Sequence, residues 1–287
     1  MSLTHPARLT EIVDDGVMLS VIPWSLEGPL APVVLVHGLA SNARLWDGVG
    51  ADLAGRGHPV VAIDQRGHGL SSKPDIGYDF GSITRDLERL IAGLGWTAPI
   101  VAGQSWGGNV VLDLAAHHPD LVSGLVLVDG GTIELSARFA DWPTCEAALA
   151  PPPLTGTPAE QMRTWLEGNH PDWPEAGIDA TMANMEVLGD GTVRPWLSRP
   201  HHMQILRHLW DHRPRTLYEM VRSPALLLMA ADASNQRWMA GKRDEVAGAM
   251  NALPHARVHW IDGDHDLHAQ HPGEVAELIH SYFTDGP

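Results

Sequence analysis

A chain of 287 residues, 44% of them hydrophobic and 19% charged, is long enough for one large α/β domain with an insertion, or for two small domains, and can bury a sizeable core. Its formal net charge of −16 argues against a nucleic-acid partner and against an anionic membrane surface; acidity of this kind mainly aids solubility. The single cysteine, Cys145, cannot form an intrachain disulfide, which fits a reducing compartment, and with no glycine turn or base beside it reads as a small hydrophobe. The amino-terminal stretch MSLTHPARLTEIV lacks the basic-then-apolar layout of a signal peptide. The longest apolar run, Ala225 to Ala231, is too short to span a bilayer. A soluble cytoplasmic protein with no membrane partner is expected, and its oligomeric state is left open.

The first thirty residues alternate apolar and polar positions, as in VMLSVIPW, and predict one or two antiparallel strands. PVVLVHG is a continuous apolar run closed by glycine, which predicts a buried strand. NARLWDGVGADLAGRG carries Leu45, Val49 and Leu53 at helical spacing and stops at glycine. HPVVAIDQRGHG is another buried strand, running into a polar, glycine-rich loop. SITRDLERLIAGLG predicts an amphipathic helix with Ser82 as N-cap and Gly95 near its end. APIVAG is a strand, WGGNVVLDLAAHHPD a helix stopped by Pro119, and SGLVLVDGG a strand. This alternation suits βαβ units and a parallel sheet.

The rhythm breaks from Thr132 to Arg222, where no buried strand is predicted. That stretch holds five of the eleven tryptophans (Trp142, Trp165, Trp173, Trp196 and Trp210) together with proline-rich joints. A disordered linker would be poor in Trp, Met and Leu, so a mostly helical insertion is expected. The α/β rhythm resumes at SPALLLMAAD, a strand, followed by a helix over 239–252, a strand and loop at ARVHWIDGDHD, and a last helix from PGEVAELIHSYF.

One stretch carries chemistry. Gly103-Gln104-Ser105-Trp106-Gly107 has the form G-x-S-x-G between a buried strand and a helix. Presenting a serine at a strand tip as a helix begins demands a sharp turn. The residues two before and two after the serine then come too close for a β-carbon. The same turn aims the helix N-terminus at the reaction site, where the Trp106 N–H can bind a developing oxyanion. The bland reading is a strand-to-helix turn with a capping serine; the flanking strand and helix favour a nucleophile.

Taken in order, LVHGLASN (35–42), AIDQRGHGLSS (62–72), GQSWGG and GDHDLH (263–268) resemble four features of the α/β-hydrolase superfamily. These are the oxyanion loop after the third strand, the D-x-R-G-H-G loop after the fourth, the nucleophile elbow and the late histidine loop. The resemblance runs over most of residues 10–130 and 224–283. It implies a mostly parallel central sheet flanked by helices, with the core in residues 1–131 and 223–287 and a mainly helical cap, 132–222, inserted after the sixth strand. It also implies Ser105 as nucleophile, His265 as general base, and Leu39 and Trp106 as backbone donors to the oxyanion. Serine attacks well only when a base takes its proton. No metal or other cofactor is implied. A hydrolytic dehalogenase is excluded, because it needs a carboxylate where Ser105 stands.

The third member of the triad departs from the commonest pattern. Most members carry the acid after the strand that follows the cap, three residues past a glycine. Here PALLLMAADAS puts Ala230 in the glycine slot and Ala233 in the acid slot, and Asp232 falls one residue short. A subset of the family takes the acid from the end of the preceding strand, where GLVLVDGG ends in Asp129 with two permissive glycines after it. Asp129 is the preferred acid and Asp232 the alternative, since a glycine-flanked strand end is the better mount.

Other features read more plainly. His265, His268 and His271 are spaced three apart in a predicted loop, which defines no metal geometry. His37, His68, Asp64 and Arg66 read as loop-bracing. Gln104, on the elbow, is expected to line the substrate pocket beside Trp106. In the cap, His202 is followed by Met203, Leu206 and Trp210 at helical spacing; they either pack the lid on itself or form the ceiling of an apolar pocket. Eleven Trp against three Phe and three Tyr hint at an apolar acyl or alcohol group. The reading is a cofactor-free serine hydrolase that cleaves an ester or related bond of a small molecule through an acyl-enzyme. Three rivals stand: another chemistry on the same fold (a C–C bond hydrolase, lactonase, perhydrolase or lyase), a non-catalytic small-molecule receptor and, third, a metal-binding module.

Overall fold

The continuous apolar runs become the centre of an eight-stranded sheet in a computed structural model that describes residues 7–14, 16–232 and 236–286. Residues 1–6 of the amino-terminal stretch, which is expected to lack a signal peptide, and the acid slot at Ala233 lie outside the described residues. The first strands are β1 (Leu9–Asp14), β2 (Val17–Ser25), β3 (Val33–Val36), β4 (Val60–Asp64), β5 (Ile100–Gln104) and β6 (Gly124–Val128). Between them run α1 (Asp47–Gly55), α2 (Phe80–Gly93) and α3 (Trp106–His117). After an inserted segment the sheet is completed by β10 (Ala225–Ala231) and β11 (Arg257–Asp262). The spatial order is β1-β2-β4-β3-β5-β6-β10-β11, antiparallel at β1/β2 and β2/β4 and parallel elsewhere.

The parallel strands are apolar at nearly every position because both sheet faces are covered. Side chains alternate between the faces. Val34 and Val36 join the cluster with Ile83 and Leu87 of α2 and Val110 and Val111 of α3. Val33 and Leu35 join the opposite cluster with Val49 and Leu53 of α1 and with Val275 and Ile279 of the last helix. Each such fully buried side chain contributes roughly 1.5–3 kcal/mol. Helix α2 begins one turn earlier than the sequence suggests. Its N-cap is Asp79, whose carboxylate accepts the Ser82 N–H at 2.9 Å, so Ser82 sits inside the first turn. Asp is as good a cap as Ser, and the earlier of the two took the position.

The inserted segment holds α4 (Leu135–Arg138), α5 (Trp142–Leu149), α6 (Ala159–Asn169), α7 (Glu175–Met182) and α8 (Arg199–Asp211). It also holds a small antiparallel sheet of β7 (Thr157–Pro158), β8 (Met185–Val187) and β9 (Thr192–Pro195), in the order β7-β9-β8. These strands of two to four residues are too short to show a period of two in the sequence. The chain ends with α9 (Gln236–Ala252), α10 (Leu267–Gln270) and α11 (Pro272–Thr284). Among the described residues no helix is long and apolar enough to cross a membrane.

Candidate active site

The site forms at one end of the sheet, where the neighbouring strands β5, β6, β10 and β11 end. Ser105 follows β5 at φ 54°, ψ −124°, a conformation that L residues seldom adopt. Its N–H donates to the Val128 carbonyl of β6 at 3.0 Å, so the strained residue is anchored from the neighbouring strand. A Cβ on Gly103 would lie 2.2 Å from the Gly107 carbonyl oxygen, and one on Gly107 would lie 2.4 Å from the His37 carbonyl oxygen. The two glycines are there because strand, helix and the loop after β3 meet without room for side chains.

That loop is braced by two buried histidines. His37 Nδ1 donates to the Gly38 carbonyl at 2.7 Å, and its Nε2 accepts the Gln65 N–H at 3.0 Å. His68 Nδ1 donates to the Arg66 carbonyl at 3.0 Å, and its Nε2 accepts the N–H of Ala40, which sits at φ 59°, at 3.2 Å. Burial holds both rings below the ordinary imidazole value, and for His68 well below it. They are neutral struts that shape the turn carrying Leu39. Asp64 receives the N–H groups of Ala43 and Leu70 at 2.8 and 3.0 Å, and Arg66 is forked onto Asp86 at 2.5 and 2.6 Å.

Asp129 follows β6 at φ 44° and is 7% exposed. Its N–H donates to the Leu228 carbonyl of β10 at 2.8 Å. Oδ2 accepts a hydrogen bond from His265 Nδ1 at 2.6 Å. Oδ1 accepts the Ala230 N–H at 3.1 Å and pairs with the ammonium of Lys242. Burial pushes the Asp129 carboxyl up, but the hydrogen bond and charge of His265 and then Lys242 outweigh it and hold it below the usual carboxylate range. In His265, burial pulls the imidazole down. The hydrogen bond and charge of Asp129, helped by Asp266, outweigh that and leave it raised. Protein surrounds the ring, yet 51% of its side-chain surface opens on the cleft. Asp232 is exposed, with its N–H directed at Met239 Sδ at 3.4 Å. The structure thus brings Asp129, and not Asp232, to the ring nitrogen of His265.

Ser105, Asp129 and His265 line one cleft of about 1220 Å³ together with Leu39 and Trp106. Gln104 does not line it, contrary to expectation. It is buried, and its amide donates to the His265 carbonyl at 3.1 Å, tying the elbow to the histidine loop. From α8, His202, Leu206 and Leu209 face the cleft. Met203 and Trp210 do not; they pack against the apolar core, Trp210 edge-on to Trp142 with ring centroids 6.1 Å apart. At about 100° per residue, positions 202, 206 and 209 form one stripe, and 203 and 210 fall beside it. Burial lowers the His202 imidazole to about 4, so it is neutral at physiological pH.

The three late histidines diverge. His265 meets Asp129, His271 Nε2 donates to the Asp262 carbonyl at 3.1 Å, and His268 is buried against the Trp46 ring at 4.3 Å. Burial lowers His268 to about 3. Lys242 escaped the sequence reading. Its signal was present, since it interrupts the buried stripe Met239, Val246 and Ala249 of α9 at helical spacing.

A profile of the alpha/beta hydrolase fold matches residues 31–176. The chain is 32% identical to Epoxide hydrolase A of Mycobacterium tuberculosis (strain ATCC 25618 / H37Rv), over 97% of this chain and 98% of that one. It is 31% identical to 2-(acetamidomethylene)succinate hydrolase of Mesorhizobium japonicum, over 63% of each. It spans less than two thirds of the length of several curated relatives, 38% in the case of an uncharacterized protein of Mycobacterium bovis. Among solved structures, that of E-2-(acetamidomethylene)succinate hydrolase superposes with a TM-score of 0.77 at 26% identity, over 98% of this chain and all of that one. A thioesterase domain from the curacin biosynthetic pathway shares the fold, with a TM-score of 0.75 at 19% identity over 96% and 99% of the two chains.

Proposed function

Because this chain belongs to the α/β-hydrolase family, we propose that it is a serine hydrolase cleaving an ester, or a closely related acyl bond, of a small and partly apolar substrate. The observation that carries the reading is the 2.6 Å hydrogen bond from His265 Nδ1 to Asp129 in the cleft that also holds a strained, glycine-flanked Ser105. With Nδ1 engaged, the neutral imidazole has Nε2 as its acceptor. Nε2 takes the Ser105 proton as Oγ attacks the substrate carbonyl, and the imidazolium then protonates the leaving group. The N–H groups of Leu39 and Trp106 stabilise the oxyanion. Water, deprotonated by the same nitrogen, releases the acid and restores the serine.

The chemistry of a serine narrows the choice among relatives. Opening an epoxide with Ser105 would form an ether, which has no carbonyl for water to attack, so the enzyme could not turn over. An acyl donor leaves an ester on Ser105, which water cleaves. Residues 132–222 act as the cap, and the stripe of His202, Leu206 and Leu209 supplies an apolar ceiling. Steady turnover of aryl esters of graded chain length, abolished in Ser105→Ala, is the expected result. Tight ligand binding without turnover would point to a receptor instead.

A further inference from the structure

The triad acid has a second partner that the reaction itself does not require. Lys242 lies in the apolar stripe of α9 and is only 9% exposed. An ammonium so enclosed is costly unless it is paired and hydrogen-bonded. Its Nζ donates to the Ala230 carbonyl at 2.6 Å, forms an ion pair with Asp129 Oδ1 and stands 6.0 Å from the centre of the Trp260 ring. Ala230 also gives its N–H to the same Oδ1 at 3.1 Å. The carboxylate is therefore divided: Lys242 and Ala230 hold one oxygen, and the other is left to His265.

We propose that Lys242 is a positioning residue of the hydrolytic site, clamping Asp129 so that Oδ2 faces His265 and opposing, through its charge, the carboxylate's pull on the imidazole. The proposal rests on the serine-hydrolase reading above. A carboxylate 2.6 Å from the ring stabilises the imidazolium, which helps in the transition state. The same attraction fills the base with a proton beforehand and so removes it from use near neutral pH. A fixed cation on the far side of the carboxylate limits that loss while keeping the orientation.

The charged groups around His265 set the sign. Asp129 comes from the end of β6 and Lys242 from α9. Asp264 and Asp266 lie on the histidine's own loop, with His170 bound to Asp264 at 3.0 Å, and His268 stands on α10. Asp129 and Asp266 raise the imidazole; burial and Lys242 lower it. His268 is neutral. Removing the lysine removes one of the two downward pulls, so His265 must titrate at higher pH.

The test uses the rate at which an aryl phosphonate labels Ser105, followed against pH, because it needs no knowledge of the natural substrate. In the unaltered protein the rate rises with pH along the limb of His265. In Lys242→Met that limb is expected to move to higher pH by about half a unit or more, which lowers the rate below the limb about three-fold. Lys242→Arg, which keeps the charge, should leave the limb in place. Lys242→Gln, which keeps a donor for the Ala230 carbonyl but no charge, should shift as Met does, and it carries the test if the Met variant misfolds by near-UV circular dichroism. A purely structural lysine would lower the rate equally at every pH. Labelling of Ser105 with an unmoved limb in the neutral variants overturns the role of Lys242. Absence of labelling in the unaltered protein overturns the serine-hydrolase reading instead.

Discussion

Asp129→Asn strikes two interactions at once, and the structure separates them. The short bond from His265 Nδ1, 2.6 Å long, is charge-assisted and worth more than a neutral one. An amide in its place sets an NH₂ group against either the imidazole N–H or the Lys242 ammonium. Facing the imidazole, it removes the group that fixes the tautomer, and kcat is expected to fall by up to ~10⁴-fold, as for the equivalent change in the serine-protease template. Lys242, 9% exposed, then loses its counter-ion, and breaking a buried pair costs about 3–5 kcal/mol. For a domain of this size that is a fall in Tm of about 5–8 °C. The double variant Asp129→Asn/Lys242→Met should recover much of the Tm and none of the activity. Asp232→Asn alters an exposed side chain and should change stability by no more than about 0.5 kcal/mol, with turnover near normal. The assays are aryl-ester kinetics and thermal melts followed by circular dichroism. A crippled Asp232→Asn beside a near-normal Asp129→Asn would refute the reasoning.

Asp129 holds His265 above its ordinary value of 6.5, and the base must be neutral to act. Activity should therefore rise with pH along a limb on the alkaline side of 6.5; a limb on the acid side, or near-normal turnover in His265→Ala, would contradict the assignment. His268, lowered by burial from 6.5 to about 3, binds its proton more readily in the unfolded chain. Its contribution is complete above pH 6.5 and is lost as the pH falls toward 3, so His268→Phe should move the midpoint of acid unfolding to lower pH, and an unmoved midpoint would count against a buried neutral ring. Leu206→Ala and Leu209→Ala should change the preference among acyl chain lengths, whereas Met203→Ala and Trp210→Ala should mainly lower the Tm; the reverse pattern in a graded ester series would place the ceiling on the other face of α8. Gly103→Ala puts a methyl 2.2 Å from the Gly107 carbonyl oxygen, and should give protein that is unfolded or unlabelled by phosphonate.

The sequence displayed what depends on neighbours in the chain. Apolar runs of four to seven residues marked the buried strands, glycine spacing marked the turn at Ser105, and the glycines after Asp129 marked a mount for the carboxylate that meets His265. It was silent where the outcome depends on rotation or on partners far along the chain. Which stripe of α8 faces the cleft turns on about 100° of helix phase, and both stripes carry apolar residues. Gln104 sits on the elbow, but only the approach of the His265 loop, 161 residues away, decides that it braces that loop and leaves the cleft wall to others. Lys242 was visible as a charge in an apolar stripe, yet its partner Asp129 lies just past the end of a strand, separated from it by the whole inserted segment. The short strands β7, β8 and β9 form by pairing with one another and carry no pattern of their own.

The most direct test of the central claim is mass spectrometry of the protein after reaction with a serine-directed phosphonate. The expected result is one adduct per chain, on Ser105, forming faster as the pH rises and absent in Ser105→Ala. An adduct on another residue such as Cys145, or a protein left unmodified while its cleft still binds small esters, would contradict the assignment of Ser105 as the nucleophile of a hydrolase.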